Sequence, residues 1–222
     1  MITKETYITT LTIESRSRAF LKEFSGLQPA RLPDFDFHRS ALLVLDMQRV
    51  FLVPSSHAFI PSAPSVLPRI KALVEAYESR RRPALFTRHV NTPEDAGRMA
   101  DWWRNRIEPE DPLSALVPEL DRASDRVILK SRYDAFYRTP LEEMLRGGGV
   151  EQVVVCGVMT HLCCETTARS AFMRGFDVFF TVDGTATYTE AFHRASLLNL
   201  AHGFAVLTLS ETILEAARGD EG

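Results

Sequence analysis

The sequence predicts an α/β fold, a Rossmann-like, three-layer, doubly wound sheet of about six mostly parallel strands with helices on both faces. Short runs rich in β-branched and aromatic residues alternate with longer segments whose apolar residues recur at helical spacing. The length of 222 residues fits one sizeable domain better than two. The 45% hydrophobic and 25% charged residues are typical of a globular protein, which excludes a disordered or collagen-like chain.

Six short apolar runs are the predicted strands. The first run, 41–45, contains no polar residue, which is typical of a strand buried on both faces of a parallel sheet. In chain order the strands are predicted at 41–45, 84–87, 127–129, 152–156, 178–182 and 205–207.

Helices are predicted between these strands because apolar residues there recur three or four positions apart. After the first strand this spacing relates Leu67, Ile70, Leu73, Val74 and Tyr77. Further helices are predicted around 141–145, 168–172, 191–201 and 211–217, with a short one at 98–105.

Residues 1–38 precede the first strand and are predicted to form an N-terminal arm, with 39–222 as the main domain. The arm carries an amphipathic stretch around Phe20, Leu21 and Phe24. Because such a stretch needs a surface to cover its apolar face, the arm is a candidate for clasping a neighbouring subunit.

The charge balance argues against a nucleic-acid partner. With 26 basic and 29 acidic residues, the formal net charge is −3, so no large positive field faces a phosphate backbone.

No run approaches the roughly 18 apolar residues of a membrane helix, and residues 1–10 lack a signal-peptide apolar region. Cys156, Cys163 and Cys164 form a poor disulfide framework, which suits a reducing compartment. We therefore expect a soluble, cytoplasmic protein without nucleic-acid or membrane partners.

Three residues that can do chemistry lie just after predicted strands. Asp46 follows the first strand, Lys130 follows the third, and Cys163 lies in the turn after the fourth. Ligands of open parallel sheets bind at the carboxyl ends of the strands, so these three side chains are predicted to converge there. Each alone also fits a structural role: Asp46 as a cap, Lys130 as a solvated cation, and Cys163 as a small buried side chain.

The thiol lies in a strand–turn–helix segment, 156–167, which resembles a nucleophile elbow. Cys163 should occupy the first helical turn, where unpaired amides and the helix dipole stabilise a thiolate. Asp46 would accept the thiol proton, Lys130 would favour the charged forms, and Cys163 would attack a carbonyl carbon. The backbone amides of Met159 and Cys163 are predicted to bind the resulting oxyanion.

Three blocks of sequence have the order and spacing of a known family. They are 43–51, 129–136, and 157–163 followed by Thr167 and Ala168. With these blocks, residues 40–215 resemble the isochorismatase-like cysteine hydrolases, which include nicotinamidase and N-carbamoylsarcosine amidase. The resemblance implies a hydrolase domain at 39–222 and a homo-oligomer, either a dimer or a tetramer. It also implies a catalytic triad of Asp46, Lys130 and Cys163 and a cis peptide bond between Val158 and Met159.

The resemblance leaves the reaction class open. Blocks 46–51 and 130–136 look closer to the true isochorismatases, which cleave a vinyl ether with the aspartate as general acid and typically have no thiol at the nucleophile position. A vinyl ether needs a proton and water but no covalent acceptor, so Cys163 favours acyl transfer. We therefore expect hydrolysis of a C–N bond in a small amide, carbamoyl or ureido compound through a Cys163 thioester. The alternatives are a vinyl-ether hydrolase that uses Asp46 as general acid and a non-catalytic binding protein on the same fold.

Further residues are predicted to contact the small-molecule substrate. An aromatic wall can form from residues near Asp46 and Lys130 and from tryptophans in the long segment 89–125, since loops of this length are usually functional. A guanidinium could bind a substrate carboxylate through two hydrogen bonds. The candidate substrate-binding residues are Gln48, Arg49, Phe51, Arg88, Trp102, Trp103, Tyr133, Phe136 and Thr160.

No metal or other cofactor is predicted. His57, His89, His193 and His202 lack the spacing of a recognisable ligand set. The histidine and cysteines within 161–164 are too close together to enclose zinc by themselves.

Overall fold

A single six-stranded sheet forms the centre of the protein in the computed structural model, which describes residues 3–103, 105–121 and 126–219. The strands are β1 (Ser40–Leu45), β2 (Ala84–His89), β3 (Val127–Lys130), β4 (Gln152–Val158), β5 (Asp177–Ala186) and β6 (Val206–Thr208). All neighbouring strands are parallel, in the order β3-β2-β1-β4-β5-β6. The six predicted strands and the predicted fold class are confirmed.

The predicted helices are also present, most of them longer than predicted. In the described residues the helices are α1 (Ile13–Phe24), α2 (Arg49–Leu52), α3 (Ala63–Ser79), α4 (Arg98–Trp102), α5 (Leu141–Gly147), α6 (Glu165–Met173), α7 (Glu190–Gly203) and α8 (Ser210–Gly219). Of these, α2 was not predicted, and α1 was predicted only as an amphipathic stretch. The helix predicted at 98–105 is shorter than expected and ends at Trp102, and the predicted range includes residue 104, which lies outside the described residues.

Burial explains why the strands form the middle layer. All six residues of β1 and all seven of β4 are buried, as expected for strands covered on both faces. Helix α3 packs against the central strands and against α8, while α6 and α7 pack against each other and against β5. The apolar faces that predicted these helices therefore cover the sheet.

Strand β5 continues past the predicted end at Val182. The residue after this predicted end, Asp183, is acidic and yet only 4% exposed. Its carboxylate accepts hydrogen bonds from Arg69 Nε at 3.0 Å and from the backbone amide of Ser210 at 2.8 Å. These partners compensate for the burial of the charge, so the strand can run through it.

Apolar side chains of the N-terminal segment are buried against the main domain. The buried side chains of Ile13, Phe20 and Phe24 on α1 belong to the same hydrophobic core as the sheet. The backbone amide of Thr187 donates to the Tyr7 hydroxyl at 3.1 Å, which ties the segment before α1 to the end of β5. The apolar face predicted to clasp a neighbour is therefore covered within the same chain.

The strand order reverses between β1 and β4. Strand β1 pairs with β2 on one side and with β4 on the other, and the connections after these two strands leave in opposite directions. A crevice forms outside the carboxyl ends of the strands at such a reversal, and ligands bind there. Asp46 and Cys163 follow the two strands that flank this point. Among the described residues, no helix is both long and apolar enough to cross a membrane.

Candidate active site

The three residues predicted to converge lie together in the structure. Lys130 Nζ is 2.7 Å from Asp46 Oδ2 and donates a hydrogen bond to Cys163 Sγ at 3.2 Å. The side chains of Asp46 and Lys130 are fully buried, and Cys163 is 7% exposed. An acid, a cation and a thiol that are far apart in the sequence thus form one compact cluster.

Lys130 reaches Asp46 across an intervening strand. Strand β2 lies between β1 and β3, and neighbouring strands are about 4.8 Å apart, so only a long side chain can span the gap. The ammonium also donates to the backbone carbonyl of Arg132 at 3.0 Å. Together with Asp46 and Cys163, this carbonyl gives the ammonium three partners, which fixes its position.

Asp46 is held in an unusual backbone conformation. Its φ angle is +51°, the left-handed region that residues other than glycine rarely occupy. The Thr87 hydroxyl donates to Asp46 Oδ1 at 2.6 Å and accepts the Asp46 backbone amide at 3.1 Å. These two bonds fix both the backbone and the carboxylate of Asp46. Residues in such strained backbone conformations are common in active sites.

Cys163 lies in a wide helical turn, Thr160–Cys164, that leads directly into α6. The Cys164 amide donates to the Met159 carbonyl, five residues earlier, at 3.2 Å, and such turns are frequent at functional sites. Gly157 precedes the turn with a φ of +115°, and a Cβ there would lie 2.0 Å from the Leu45 carbonyl oxygen. Glycine therefore allows β4 to approach β1 closely. The Val158–Met159 peptide bond is cis, as the family resemblance implies.

Burial and the ion pair set the charges of the cluster. Although burial alone raises the pKa of Asp46, the nearby Lys130 ammonium brings this pKa below its usual value. Burial alone lowers the pKa of Lys130, but the pairing with Asp46 outweighs this effect, so the pKa of Lys130 is raised. Burial raises the pKa of Cys163, with a further increase from the Asp46 charge. At neutral pH the cluster therefore holds a carboxylate, an ammonium and a neutral thiol, although the helix terminus had suggested a stabilised thiolate.

A cavity of about 540 Å³ opens over the thiol. Five aromatic residues line it (Phe51, Trp102, Trp103, Tyr133 and Tyr188), and Met159 and Cys163 line it as well. The Trp103 indole donates to the Tyr133 hydroxyl at 2.7 Å, which connects the loop after β2 to the loop after β3. Of the candidate substrate-binding residues, four line the cavity: Phe51, Trp102, Trp103 and Tyr133.

The structure does not bring the other five candidate substrate-binding residues to the cavity wall. The Gln48 side chain is buried between the backbone of His89 and the Ser114 carbonyl. Arg88 donates to the Pro109 and Ser114 carbonyls and to the Ser114 hydroxyl, so its guanidinium is used to hold a loop.

The other three candidate substrate-binding residues outside the cavity wall are Arg49, Phe136 and Thr160. Arg49 is exposed at the start of α2. The Phe136 ring stacks on Phe176 with the ring centroids 6.1 Å apart. The Thr160 hydroxyl shares a hydrogen bond of 3.1 Å with Nδ1 of the buried His193. Core packing therefore accounts for Phe136 and Thr160.

Several residues that line the cavity were not proposed from the sequence as substrate contacts, among them His57, His89, Arg106 and Tyr188. His89 could have been found, because it is the last residue of β2 and therefore lies at the same sheet edge as Asp46 and Lys130. Arg106 and Tyr188 lie in irregular segments where the sequence pattern gives no direction for a side chain. Arg106 pairs with Glu108 at 3.3 Å and brings a cationic group to the cavity.

One set of metal-ligand types occurs at the site. A ring nitrogen of His89, a carboxylate oxygen of Asp46 and Cys163 Sγ all lie within 4.8 Å of one another. Lys130 contacts two of these three groups and already supplies the positive charge that a metal would bring. The donor set is therefore compensated by the protein, and we assign no metal to it.

Comparison with known proteins identifies the family to which the chain is similar. Residues 40–212 match the isochorismatase domain. The chain is 37% identical over 186 residues to nicotinamidase 3 of Arabidopsis thaliana, covering 82% of this chain and 90% of that protein. It is 32% identical over 188 residues to enterobactin synthase component B of Escherichia coli K12, covering 82% of this chain and 65% of that protein.

A solved structure shows the same fold. The cysteine hydrolase from Pseudomonas syringae pv. phaseolicola 1448A has a TM-score of 0.81 and 27% sequence identity, covering 86% of this chain and 98% of that one. The domain match spans well over half of the chain, and the two relatives exceed 30% identity. The chain therefore belongs to the isochorismatase family and is a hydrolase.

Proposed function

We propose that the protein hydrolyses a C–N bond in a small amide, carbamoyl or ureido compound through a thioester on Cys163. The observation that carries this proposal is the cluster itself. Cys163 Sγ lies 3.2 Å from the Lys130 ammonium and lines a cavity of about 540 Å³. A nucleophile, a proton acceptor and a positioned cation are what acyl transfer requires.

In the first half of the reaction, the substrate carbonyl carbon lies over Cys163. Asp46 takes the thiol proton while Sγ forms a bond to that carbon, and the two events are concerted because the thiol is neutral at rest. Lys130 remains charged throughout and stabilises the sulfur as negative charge develops on it. The backbone amides of Met159 and Cys163 donate to the oxyanion, as predicted from the sequence.

In the second half, the tetrahedral intermediate collapses. Asp46 returns its proton to the nitrogen, the C–N bond breaks, and ammonia or an amine leaves. A water molecule then attacks the thioester and gives a proton to Asp46. Asp46 returns this proton to sulfur as the C–S bond breaks, which releases the acid product and restores the Cys163 thiol. The aromatic residues Phe51, Trp103 and Tyr133 suit a small planar substrate.

The charge state of Asp46 favours this reaction over vinyl-ether cleavage. Protonating a vinyl ether requires a carboxylic acid, whereas the Lys130 ammonium keeps the pKa of Asp46 below its usual value in spite of burial. The relatives include an isochorismatase of Bacillus subtilis, 30% identical over 189 residues, so the reaction remains the second candidate. Burying two charges lowers the stability of the fold, and binding a ligand does not by itself require such a pair. A non-catalytic role is therefore disfavoured.

The experiment is a substrate panel with matched cysteine variants. Ammonia release is measured from nicotinamide, carbamoylated amino acids, ureido acids and biuret, together with cleavage of isochorismate. We expect release from at least one C–N substrate, and Cys163→Ala should reduce it by at least 1,000-fold, a loss typical of removing a nucleophile. Cys156→Ala is the control, because Cys156 is fully buried away from the cavity. Cleavage of isochorismate alone, retained in Cys163→Ala, would favour the second candidate.

A further inference from the structure

Residues 4–8, which precede α1, connect two loops that contribute to the cavity wall. One loop follows α2 and carries His57, and the other follows β5 and carries Tyr188. Both of these residues line the cavity. Residues 4–8 also precede the residues that match the isochorismatase domain, 40–212, so the contacts of this segment are a feature that the domain match does not include.

The Lys4 side chain contacts both cavity-lining residues. Lys4 Nζ donates a hydrogen bond to the backbone carbonyl of His57 at 2.7 Å and lies 4.5 Å from the centroid of the Tyr188 ring. An ammonium over the face of a tyrosine ring is attracted by the negative charge of that face. One cation therefore holds together two loops that are far apart in the sequence.

Backbone hydrogen bonds fix the position of Lys4. The backbone amide of the next residue, Glu5, donates to the Tyr188 carbonyl at 2.8 Å. The backbone amide of Tyr7 donates to the hydroxyl of the buried Ser62, which ends the loop that carries His57, at 3.1 Å. The segment is thus bound to each of the two loops at a second point, and Lys4 extends from a backbone that is already anchored.

We propose that Lys4 is a positioning residue that determines substrate specificity, because it orders the part of the cavity wall that contains His57 and Tyr188. An ordered wall binds a ligand more tightly than a mobile one, which loses conformational freedom on binding. Substrates that extend from Cys163 to this wall depend on Lys4, whereas the smallest substrates do not. The inference rests on the proposed function only in taking the cavity as the substrate site.

The proposed role leaves the reacting groups unchanged. The partners of the Lys130 ammonium are Asp46, Cys163 and the Arg132 carbonyl, which lie after β1, in the turn before α6 and after β3. Lys4 contacts the loops after α2 and β5 instead. Loss of Lys4 is therefore expected to weaken ligand binding without changing the reactivity of the thiol.

Three variants separate this role from a general effect on the fold. Lys4→Met keeps the length and the apolar stem of the side chain but removes the charge and the hydrogen-bond donor. Lys4→Arg keeps both a cation and a donor. Lys22→Met is the matched control, because Lys22 is exposed on α1 and is not part of the cavity wall.

Two alkylating reagents of different size test the wall without any requirement for turnover. Iodoacetamide and its larger N-phenyl derivative, iodoacetanilide, both form an S–C bond with Cys163, release iodide and pass the thiol proton to a base. Rates are measured at pH 7 by mass spectrometry, with fragment masses that distinguish Cys163 from Cys164. We expect Lys4→Met to lower the rate with iodoacetanilide about 3- to 10-fold and to leave the rate with iodoacetamide within about twofold of the wild type.

The other two variants define the result that contradicts the proposal. Lys4→Arg and Lys22→Met should keep both rates within about twofold of the wild type. An unchanged rate of Lys4→Met with iodoacetanilide, or an equal loss with both reagents, contradicts the proposal. A loss in Lys4→Arg as large as that in Lys4→Met also contradicts it, because the cation would then not be the group that matters.

Turnover gives a second measurement. With the largest substrate that the panel identifies, we expect Lys4→Met to raise KM about 3- to 10-fold and to change kcat less than about twofold. A lower kcat with an unchanged KM contradicts the proposal. Because alkylation does not require turnover, a panel without ammonia release overturns the proposed function alone, whereas alkylation rates that do not depend on Lys4 overturn the role of Lys4 alone.

Discussion

Lys130 compensates the charge of Asp46 and fixes the carboxylate next to the thiol. Its ammonium and the Asp46 carboxylate are 2.7 Å apart with both side chains fully buried. Attraction between two charges is strong in such a setting, but it must offset the cost of removing both from water. The pair therefore places the reacting groups, and its loss leaves an uncompensated buried carboxylate.

We predict that Lys130→Met abolishes activity and also destabilises the fold. Breaking a buried ion pair from one side costs about 3–5 kcal/mol because the remaining charge has no partner. Urea unfolding at pH 7 measures this loss. Lys71→Met is the matched control, because the Lys71–Glu75 pair spans 3.8 Å on the surface and such pairs contribute about 0–1 kcal/mol. Equal stability of Lys130→Met and the wild type would show that the buried pair carries no such penalty.

The location of a single residue could be predicted from the sequence where the residue lies at the end of a strand. Asp46 and Lys130 end or follow strands that could be recognised by their apolar runs, so their convergence could be predicted. Arg88 and His89 show the limit, because neighbouring residues of a strand point to opposite faces and a shift of one position exchanges them. The guanidinium chosen as a carboxylate ligand instead holds the loop at Ser114, while the histidine set aside lies at the site.

At the scale of elements, α1 shows what an amphipathic pattern can and cannot predict. The spacing of Phe20 and Phe24 predicted an apolar face, and the structure confirms that this face is buried. The pattern does not say which surface covers the face, because any apolar surface satisfies it equally well. In the structure that surface is the chain's own β5 and α7.

We predict that Phe20→Ala destabilises the whole domain and does not merely release an arm. Phe20 is 2% exposed and lies 5.4 Å from the ring of His193 on α7, so truncation leaves a cavity in the shared core. Such a change costs about 3–5 kcal/mol. Urea unfolding monitored by circular dichroism checks this. Leu11→Ala is the control, since Leu11 is 94% exposed and should change stability by less than about 0.5 kcal/mol. If the urea midpoint of Phe20→Ala equals that of the wild-type protein, α1 is detached from the core.

At the scale of the whole molecule, buried neutral histidines make stability depend on pH. Burial lowers the pKa of His193 to about 3, and burial with the Lys130 charge lowers that of His89 to about 4. In the unfolded chain a histidine has a pKa of about 6.5. Between these values the unfolded chain binds more protons, so stability is fully present above about pH 6.5 and is lost as the pH falls toward 4.

We predict that the free energy of unfolding decreases below pH 6.5 by at most about 1.4 kcal/mol per pH unit for each of these histidines. Urea unfolding at pH 7, 6 and 5 measures the slope. In His193→Asn, which can keep the hydrogen bond to Thr160, the contribution of His193 is absent and the slope should be shallower. If the two proteins have the same slope, protonation of His193 does not contribute.

The parallel sheet follows from the alternation of apolar strands and amphipathic helices, which is why the fold class could be predicted. The order of the strands was not predicted, because the alternation does not determine it. The cavity could not, because its walls come from irregular segments such as the one that carries Arg106 and the one that carries Tyr188. Side-chain directions in these segments depend on contacts that exist only in the folded chain. The reacting groups were therefore predictable, whereas the groups that select the substrate were not.

The covalent state of Cys163 during turnover is the central question. The enzyme is mixed with an amide that the panel identifies, quenched with acid within milliseconds to seconds, digested, and analysed by mass spectrometry of the peptide that contains Cys163. We expect the mass of the acyl group on Cys163, and we expect hydroxylamine to remove it. Steady release of ammonia with Cys163 unmodified at every time point, and undiminished in Cys163→Ala, would contradict the thioester mechanism.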